Sequence, residues 1–141
     1  MRHFTFSLLT ITLLSSLASA KVTNPEYKVE GKLVKFFENR DLGVLTSKSC
    51  PELEKNKLCK HLEFLEKLDI NSADIPNGGG LNYGSIACKT TLKNKIYMGH
   101  DLENNEITFC KHDGYFIDVG TLDYYVSKNR GLISKSHRRS K

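Results

Sequence analysis

Four cysteines, Cys50, Cys59, Cys88 and Cys110, constrain this chain more than any other feature. All of them follow a stretch that reads as a secretion leader. Arg2 and His3 precede an apolar run from Phe4 to Leu17, and Ala18-Ser19-Ala20 supplies the small-x-small pattern a signal peptidase accepts. An even cysteine count behind a leader predicts two disulfides formed in an oxidising compartment. The protein is therefore expected to be secreted or periplasmic, with residues 1–20 removed and the working part starting at Lys21. Three pairings are possible. The sequential one, Cys50–Cys59 with Cys88–Cys110, is favoured because each pair sits inside one sequence module. As loop closures the bridges stabilise by about 3 kcal/mol each, comparable to the whole stability margin of a small domain.

Length and charge exclude several classes. The 141 residues, less the leader, leave room for one modest domain or two very small modules. No later run approaches the roughly 20 apolar residues of a spanning helix, so no transmembrane segment is expected in the mature chain. The formal net charge of +5 is unevenly distributed. Residues 21–127 carry 14 Lys/Arg against 16 Asp/Glu, whereas Lys128, Arg130, Lys135, Arg138, Arg139 and Lys141 have no carboxylate among them. A near-neutral body with a basic, disordered C-terminal tail is expected. Such a tail is attracted to anionic surfaces such as lipid headgroups, cell-wall polymer or nucleic acid.

The pattern along the chain predicts an α+β fold. Residues 21–75 read as an N-terminal module, a β-hairpin over 27–47 followed by an amphipathic helix. Ser49 with Glu52 matches a capping box, Pro51 suits a first helical turn, and Leu58, Leu62, Leu65 and Leu68 recur at three- and four-residue spacing. Residues 76–84, with Gly78-Gly79-Gly80, read as a linker. Residues 85–127 read as a second module, in which a short helix from Ser85 to Leu92 packs on a three-stranded antiparallel meander. Its strands are Lys95–Gly99, Glu106–Cys110 and Tyr115–Val119, and Asp113-Gly114 is a strong hairpin signal between the last two. Alternation puts Cys110 on the face opposite Ile107 and Phe109, so its bridge to Cys88 requires a strand end, a twist or a bulge. Thr121 can cap a final helix over Leu122–Asn129 that stops at Gly131, and residues 128–141 form the tail.

Most catalytic and ligand-binding signatures are missing. Gly79 and Gly84 have the spacing of a phosphate-binding loop, but Ser85 stands where the lysine must be, so no nucleotide is expected. Asp101-x-Glu103-x-Asn105 starts like a calcium loop, but Glu106 replaces its glycine and His112 its bidentate glutamate. Cys59-x-His61 and Cys110-x-His112 lack the tight cysteine pairs of zinc sites, and neither a metal nor another cofactor is expected. The one chemical candidate is a His/Asp cluster, His100 and Asp101 with His112 and Asp113, at two turns that could meet at one end of the meander. Such a cluster could support general acid–base hydrolysis.

Three segments in the second half, Gly84-Ser85-Ile86-Ala87-Cys88, Met98-Gly99-His100-Asp101 and Thr108-Phe109-Cys110-Lys111-His112-Asp113-Gly114, resemble a family of small exported bacterial domains labelled putative haemolysins. The resemblance covers about residues 84–122 and implies an exported, disulfide-stapled module. Family members carry a tryptophan after the Asp-Gly turn; here Ile117 and Asp118 follow it, and the chain has no tryptophan. The resulting expectation is a small exported, non-catalytic binding or envelope-associated protein. The alternatives are a small secreted hydrolase using the His/Asp cluster, or a host-directed or lytic factor.

Overall fold

The computed structural model describes residues 22–76 and 82–133. The expected leader, the Gly78-Gly79-Gly80 run and the basic residues Lys135, Arg138, Arg139 and Lys141 lie outside the described residues. The strands are β1 (Val22–Thr23), β2 (Glu26–Val29), β3 (Lys32–Lys35), β4 (Phe37–Asn39), β5 (Val44–Thr46), β6 (Ile96–His100), β7 (Glu106–His112) and β8 (Tyr115–Asp118). Between β5 and β6 run three 3-10 segments, Pro51–Lys55, Lys60–Lys67 and Ser72–Asp74, then helix α1 (Tyr83–Ile86) and a π-helical turn, Ala87–Thr91. Helix α2 (Val119–Asn129) follows β8 directly.

All eight strands belong to one antiparallel sheet, ordered β1-β4-β5-β8-β7-β6-β2-β3, which curls into a half-barrel. This overturns the expected α+β architecture with a separate three-stranded meander. The meander exists as β6-β7-β8, but β2 pairs with β6 on one side and β5 with β8 on the other. The physical cause is a bend in the first hairpin. One continuous register runs from Val29↔Lys32 out to Val22↔Asn39, and the amide of Phe36 donates to the Pro25 carbonyl at the bend. Pro25 has no N–H to return to the ladder. Beyond this point the hairpin swings over, so its inner half extends one end of the sheet and its outer half the other. The single hairpin expected over 27–47 is instead two: a tight turn at Glu30-Gly31, where both residues adopt positive φ, joins β2 to β3, and a wider one joins β4 to β5. Asp113 and Gly114 also adopt positive φ between β7 and β8, as expected of a two-residue hairpin loop.

Curling gives the sheet two apolar faces. Val29, Phe36, Phe109 and Phe116 are buried inside the curl. The rings of Phe36 and Phe109 lie 4.7 Å apart, and Tyr27 meets both edge-on. The opposite face packs Val44, Cys110, Tyr115 and Ile117 against Leu53, Leu62, Leu65, Ile86, Leu122 and Val126 of the helical layer. A strand covered on both sides reads as a continuous apolar run rather than an alternating one. This resolves the apparent conflict over Cys110. Phe109 points into the curl, and Cys110 points outward, mid-strand, to meet Cys88 without any irregularity. Both disulfides have the sequential pairing, Cys50–Cys59 and Cys88–Cys110. Met98 is exposed on the outer face of β6.

The expected amphipathic α-helix is also corrected. Its residues form two 3-10 segments, and Leu62, Leu65 and Leu68, recurring every third residue, are buried along one side. Cys50, not Ser49, precedes the first segment, and no side-chain cap closes it; Pro51 does occupy its first turn. The short helix expected from Ser85 begins earlier, with Asn82 as its cap, and passes into the π turn. In α2 the cap is Asp118, which accepts from the Thr121 amide at 3.0 Å. The helix ends where expected, with Gly131 and Leu132 donating back to the Lys128 and Ser127 carbonyls.

One buried polar side chain ties the layers together. Asn39, 1% exposed, donates to the Leu53 carbonyl at 2.6 Å and to Asn56 Oδ1 at 2.9 Å, while its own oxygen accepts from the Leu42 amide at 2.9 Å. Replacing Asn39 with leucine leaves the Leu42 N–H and Leu53 C=O without these partners. Urea unfolding is expected to show a loss of about 2–3 kcal/mol; an unchanged midpoint would refute the role assigned to Asn39.

Candidate functional site

Among the described residues, a cluster of chemically capable side chains lies where the Lys60–Lys67 segment meets the β7-β8 hairpin. The Asp113-Gly114 turn sets His112 and Tyr115 directly opposite each other in the register. From the other layer come His61 and Phe64, which the 3-10 turn places three residues apart and so on one side. Tyr115 is the centre of the group. His61 stacks edge-on against it at 5.3 Å, His112 at 5.9 Å, and the Lys48 ammonium sits 5.2 Å from the ring centre. Phe64 covers the His112 ring at 4.8 Å.

Hydrogen bonds determine what this group can do. The Tyr115 hydroxyl donates to the His61 carbonyl at 2.8 Å, and burial pushes its pKa up to about 12, with the charge of Asp113 adding to the effect. That phenol is a fastener and not a proton donor near neutrality. His112 Nδ1 lies 2.9 Å from Asn94 Nδ2, and its Nε2 lies 3.6 Å from Asp113 Oδ2. His61 differs from both: its Nε2 is sealed from solvent with no hydrogen-bond partner. Burial lowers the His61 pKa, Lys48 lowers it further, and Glu52 opposes them.

A groove of about 540 Å³ adjoins this cluster and shares Phe64 with it. Leu42, Leu58, Phe64 and Tyr125 form its apolar floor, and Lys57, Lys67 and Lys128 face Glu63 and Glu66 around it. A second depression, about 450 Å³, lies beside Asp118 at the start of α2. Burial raises the Asp118 pKa against the lowering effect of hydrogen bonds from the Gly120 and Thr121 amides, and its carboxylate is engaged in capping.

The four residues proposed from sequence as a catalytic cluster fall into two separate places. His100 stands opposite Glu106 at one end of β7, whereas His112 and Asp113 lie at the other. Six residues of strand separate the two ends, roughly 20 Å. At the far end, His100 Nε2 is 3.8 Å from Glu106 Oε1. Asp101 organises its own turn. The Asn105 side chain and amide and the Glu103 amide all donate to it and hold its carboxyl below the usual carboxylate range. His112 and Asp113 instead join His61, Tyr115 and Lys48, a partnership that sequence reasoning did not identify. Its only trace in the sequence is the spacing of His61 and Phe64, which strict 3-10 periodicity would have aligned.

Among the residues proposed for anionic-surface binding, two are described. The Lys128 ammonium lies 5.2 Å from the Tyr125 ring centre. Arg130 is engaged internally, donating to Asp69 Oδ1 at 3.1 Å, the Ile70 carbonyl at 2.8 Å and Ser72 Oγ at 3.2 Å. Among the described residues, Cys50, Glu52 and Cys59 bring metal-ligand atom types within 4.8 Å of one another, but both sulfurs are bonded to each other and offer no thiolate.

No family model matches the chain, and no solved structure does. The chain is similar to part of the phenylalanine–tRNA ligase beta subunit of Wigglesworthia glossinidia brevipalpis, with 37% identity over 73 residues. The match spans 50% of this chain but only 9% of that protein's length. This finding overturns the resemblance to putative haemolysins. The segments behind that resemblance are short runs around a cysteine or an Asp-Gly turn, which the physics of hairpins and disulfides produces in unrelated chains. Two disulfides remain, as the structure shows, and they are compatible with an exported protein.

Proposed function

We propose that the chain is a small exported binding protein, stapled by two disulfides, that attaches to anionic surfaces through its basic C-terminal residues. The surface-binding part of this reading rests on the basic residues gathered after Ser127. The observation that carries the export part is the fate of the cysteines. All four are buried and paired, an arrangement that reducing compartments do not sustain. The apolar leader pattern before Lys21 points the same way. Binding is favoured over hydrolysis because the His/Asp candidates are split between the two ends of β7, and the groups that do converge around Tyr115 are engaged in holding layers together.

The test uses protein recovered from the exported fraction of a bacterial host. Export predicts a chain beginning at Lys21 with both bridges intact; an uncleaved, reduced chain retained in the cytosol would refute it. The recovered protein is then sedimented with phosphatidylglycerol vesicles at low and high salt. Full-length protein is expected to bind at least tenfold better at low salt than a version ending at Ile133, because residues 134–141 carry four cations, Lys135, Arg138, Arg139 and Lys141, while Asn129 and Arg130 keep their contacts with the folded body. Equal sedimentation of the two would eliminate the role of the tail.

The similarity to part of a tRNA ligase subunit favours a second reading, in which the anionic partner is a nucleic acid. The same two versions, mixed with transfer RNA at low salt in a gel-shift assay, decide it. No retardation of the RNA by the full-length protein removes that reading.

A further inference from the structure

We propose that His61 is an acid-sensitive latch, holding the Lys60–Lys67 segment on the β7-β8 hairpin while neutral and releasing it when protonated.

The orphaned ring nitrogen is the key to this behaviour. A neutral imidazole carries one proton and can keep it on Nδ1, leaving Nε2 as a bare lone pair in its sealed position. The imidazolium must place an N–H at Nε2 as well, and no acceptor meets it there. A buried donor without a partner is costly, and a charged one more so. Every element packed around His61 bears on the outcome. Lys48, from the chain after β5, places its ammonium over the same Tyr115 ring and disfavours a second cation. Glu52, from the first 3-10 segment, is the opposing charge, and it stands exposed, where its attraction is screened. Tyr115, from β8, offers His61 a ring face or edge and binds its carbonyl; with a pKa near 12 it stays neutral throughout. Beyond Tyr115 lie His112 and Asp113 of the hairpin, with Asn94 bonded to His112.

The segment carrying His61 is anchored at both ends, and its inner side, Leu62 and Leu65, is buried in the core. The Cys50–Cys59 bridge fixes the chain just before it, and Asn129 donates to the Leu65 and Leu68 carbonyls at its far end, at 2.9 and 2.8 Å. On the outer side of the segment, His61 and Phe64 meet the hairpin through the Tyr115–His61 hydrogen bond, the edge-on contact of the His61 and Tyr115 rings and the stacking of Phe64 on His112. Protonating His61 weakens that outer contact, with Leu62 and Leu65 still in the core, and frees Phe64, which also lines the 540 Å³ groove. Acid therefore loosens one wall of the groove while the sheet stays folded.

The sign follows from linkage. The folded state holds this imidazole below its unfolded pKa of about 6.5, so the unfolded or opened state binds the proton more readily. The contact is fully formed above that value and is lost as the pH falls from it toward the lower native one. Hydrogen exchange of the 60–67 amides, corrected for intrinsic rates, is the measurement. Between pH 7.5 and 5.0 protection is expected to fall about tenfold in this segment and to stay constant in β6 and β7. His61→Phe, checked by circular dichroism to be folded at pH 7.5, is expected to abolish the difference, and Lys48→Gln to reduce it. Proton NMR of the His61 ring is expected to titrate below the usual histidine range. Constant protection in the natural chain, or the same tenfold fall in His61→Phe, would overturn the latch. Neither outcome depends on tail binding, so the latch and the surface-binding function fail separately.

Discussion

Replacing Cys88 and Cys110 together with alanine is expected to lower the stability of the folded chain by about 3–4 kcal/mol. The bridge closes a loop with a sequence separation of 22, and the chain-entropy model assigns a loop of that length a little over 3 kcal/mol. Packing adds to this figure. Cys110 is fully buried mid-strand in β7, Cys88 is fully buried in the π turn, and the pair is the covalent link between the helical layer and the sheet. Cys50–Cys59 closes a separation of only 9, so its removal is expected to cost less, about 2.5 kcal/mol. Urea titration of the two double variants checks the order. If the Cys50/Cys59 variant is the less stable of the two, loop length does not set the stabilisation and the entropic explanation fails.

Gly84→Ala is expected to be nearly as damaging, by about 3 kcal/mol, although it adds a single carbon. A Cβ at Gly84 would lie 2.0 Å from the Val119 carbonyl oxygen and 2.7 Å from the Asp123 amide nitrogen. Both are backbone atoms of α2, which cannot rotate away as a side-chain tip can. The two helices must separate, and α2 carries Leu122, Tyr125 and Val126 into the core, so the opening propagates there. Overpacking of this kind costs roughly 1–3 kcal/mol and sometimes more, which in a domain of about 100 residues lowers Tm by about 15 °C. Ser85→Ala, one residue along and only half-buried, serves as the control and is expected to stay within about 0.5 kcal/mol of the natural chain. A small shift for Gly84→Ala would mean that α1 and α2 are not in backbone contact at this crossing.

Local features were legible where local chemistry decides them. Asp113-Gly114 specifies a two-residue hairpin because positive φ is needed at both positions and the pair tolerates it. Gly131 ends α2 for a similar reason. The sequential disulfides were legible because each pair is close in sequence, and short separations favour their own closure. Other features depend on more distant partners. Leu62, Leu65 and Leu68 suit an α-helix and a 3-10 turn nearly equally, and packing beneath the β7-β8 hairpin selects the tighter form. The role of Asn39 was invisible, since its partners Leu53 and Asn56 reach it only after the helical layer folds over β4. The cluster around Tyr115 was half legible. His112 and Asp113 stood out as a pair, but the companions assigned to them, His100 and Asp101, belong to the other end of β7. His61 and Lys48, their true neighbours, come from residues that no pattern connects to the hairpin.

What the sequence determined by itself is therefore the set of short-range commitments: the pairing of four cysteines, the Asp113-Gly114 turn and the Gly131 stop, the apolar residues available for a core and the gathering of positive charge beyond residue 127. Tertiary structure alone decided how these parts enclose one another. A bend at Pro25 and Phe36 sends the two halves of one hairpin to opposite ends of the sheet, and that curl buries both faces of β7. Period-two reasoning assumes that one face meets solvent, so it could not anticipate a strand whose Phe109 and Cys110 are each needed in a different core. The physical reason is range: turns and short loops are settled by a few neighbouring dihedral angles, whereas sheet closure and the environment of a single imidazole are settled by residues dozens of positions away.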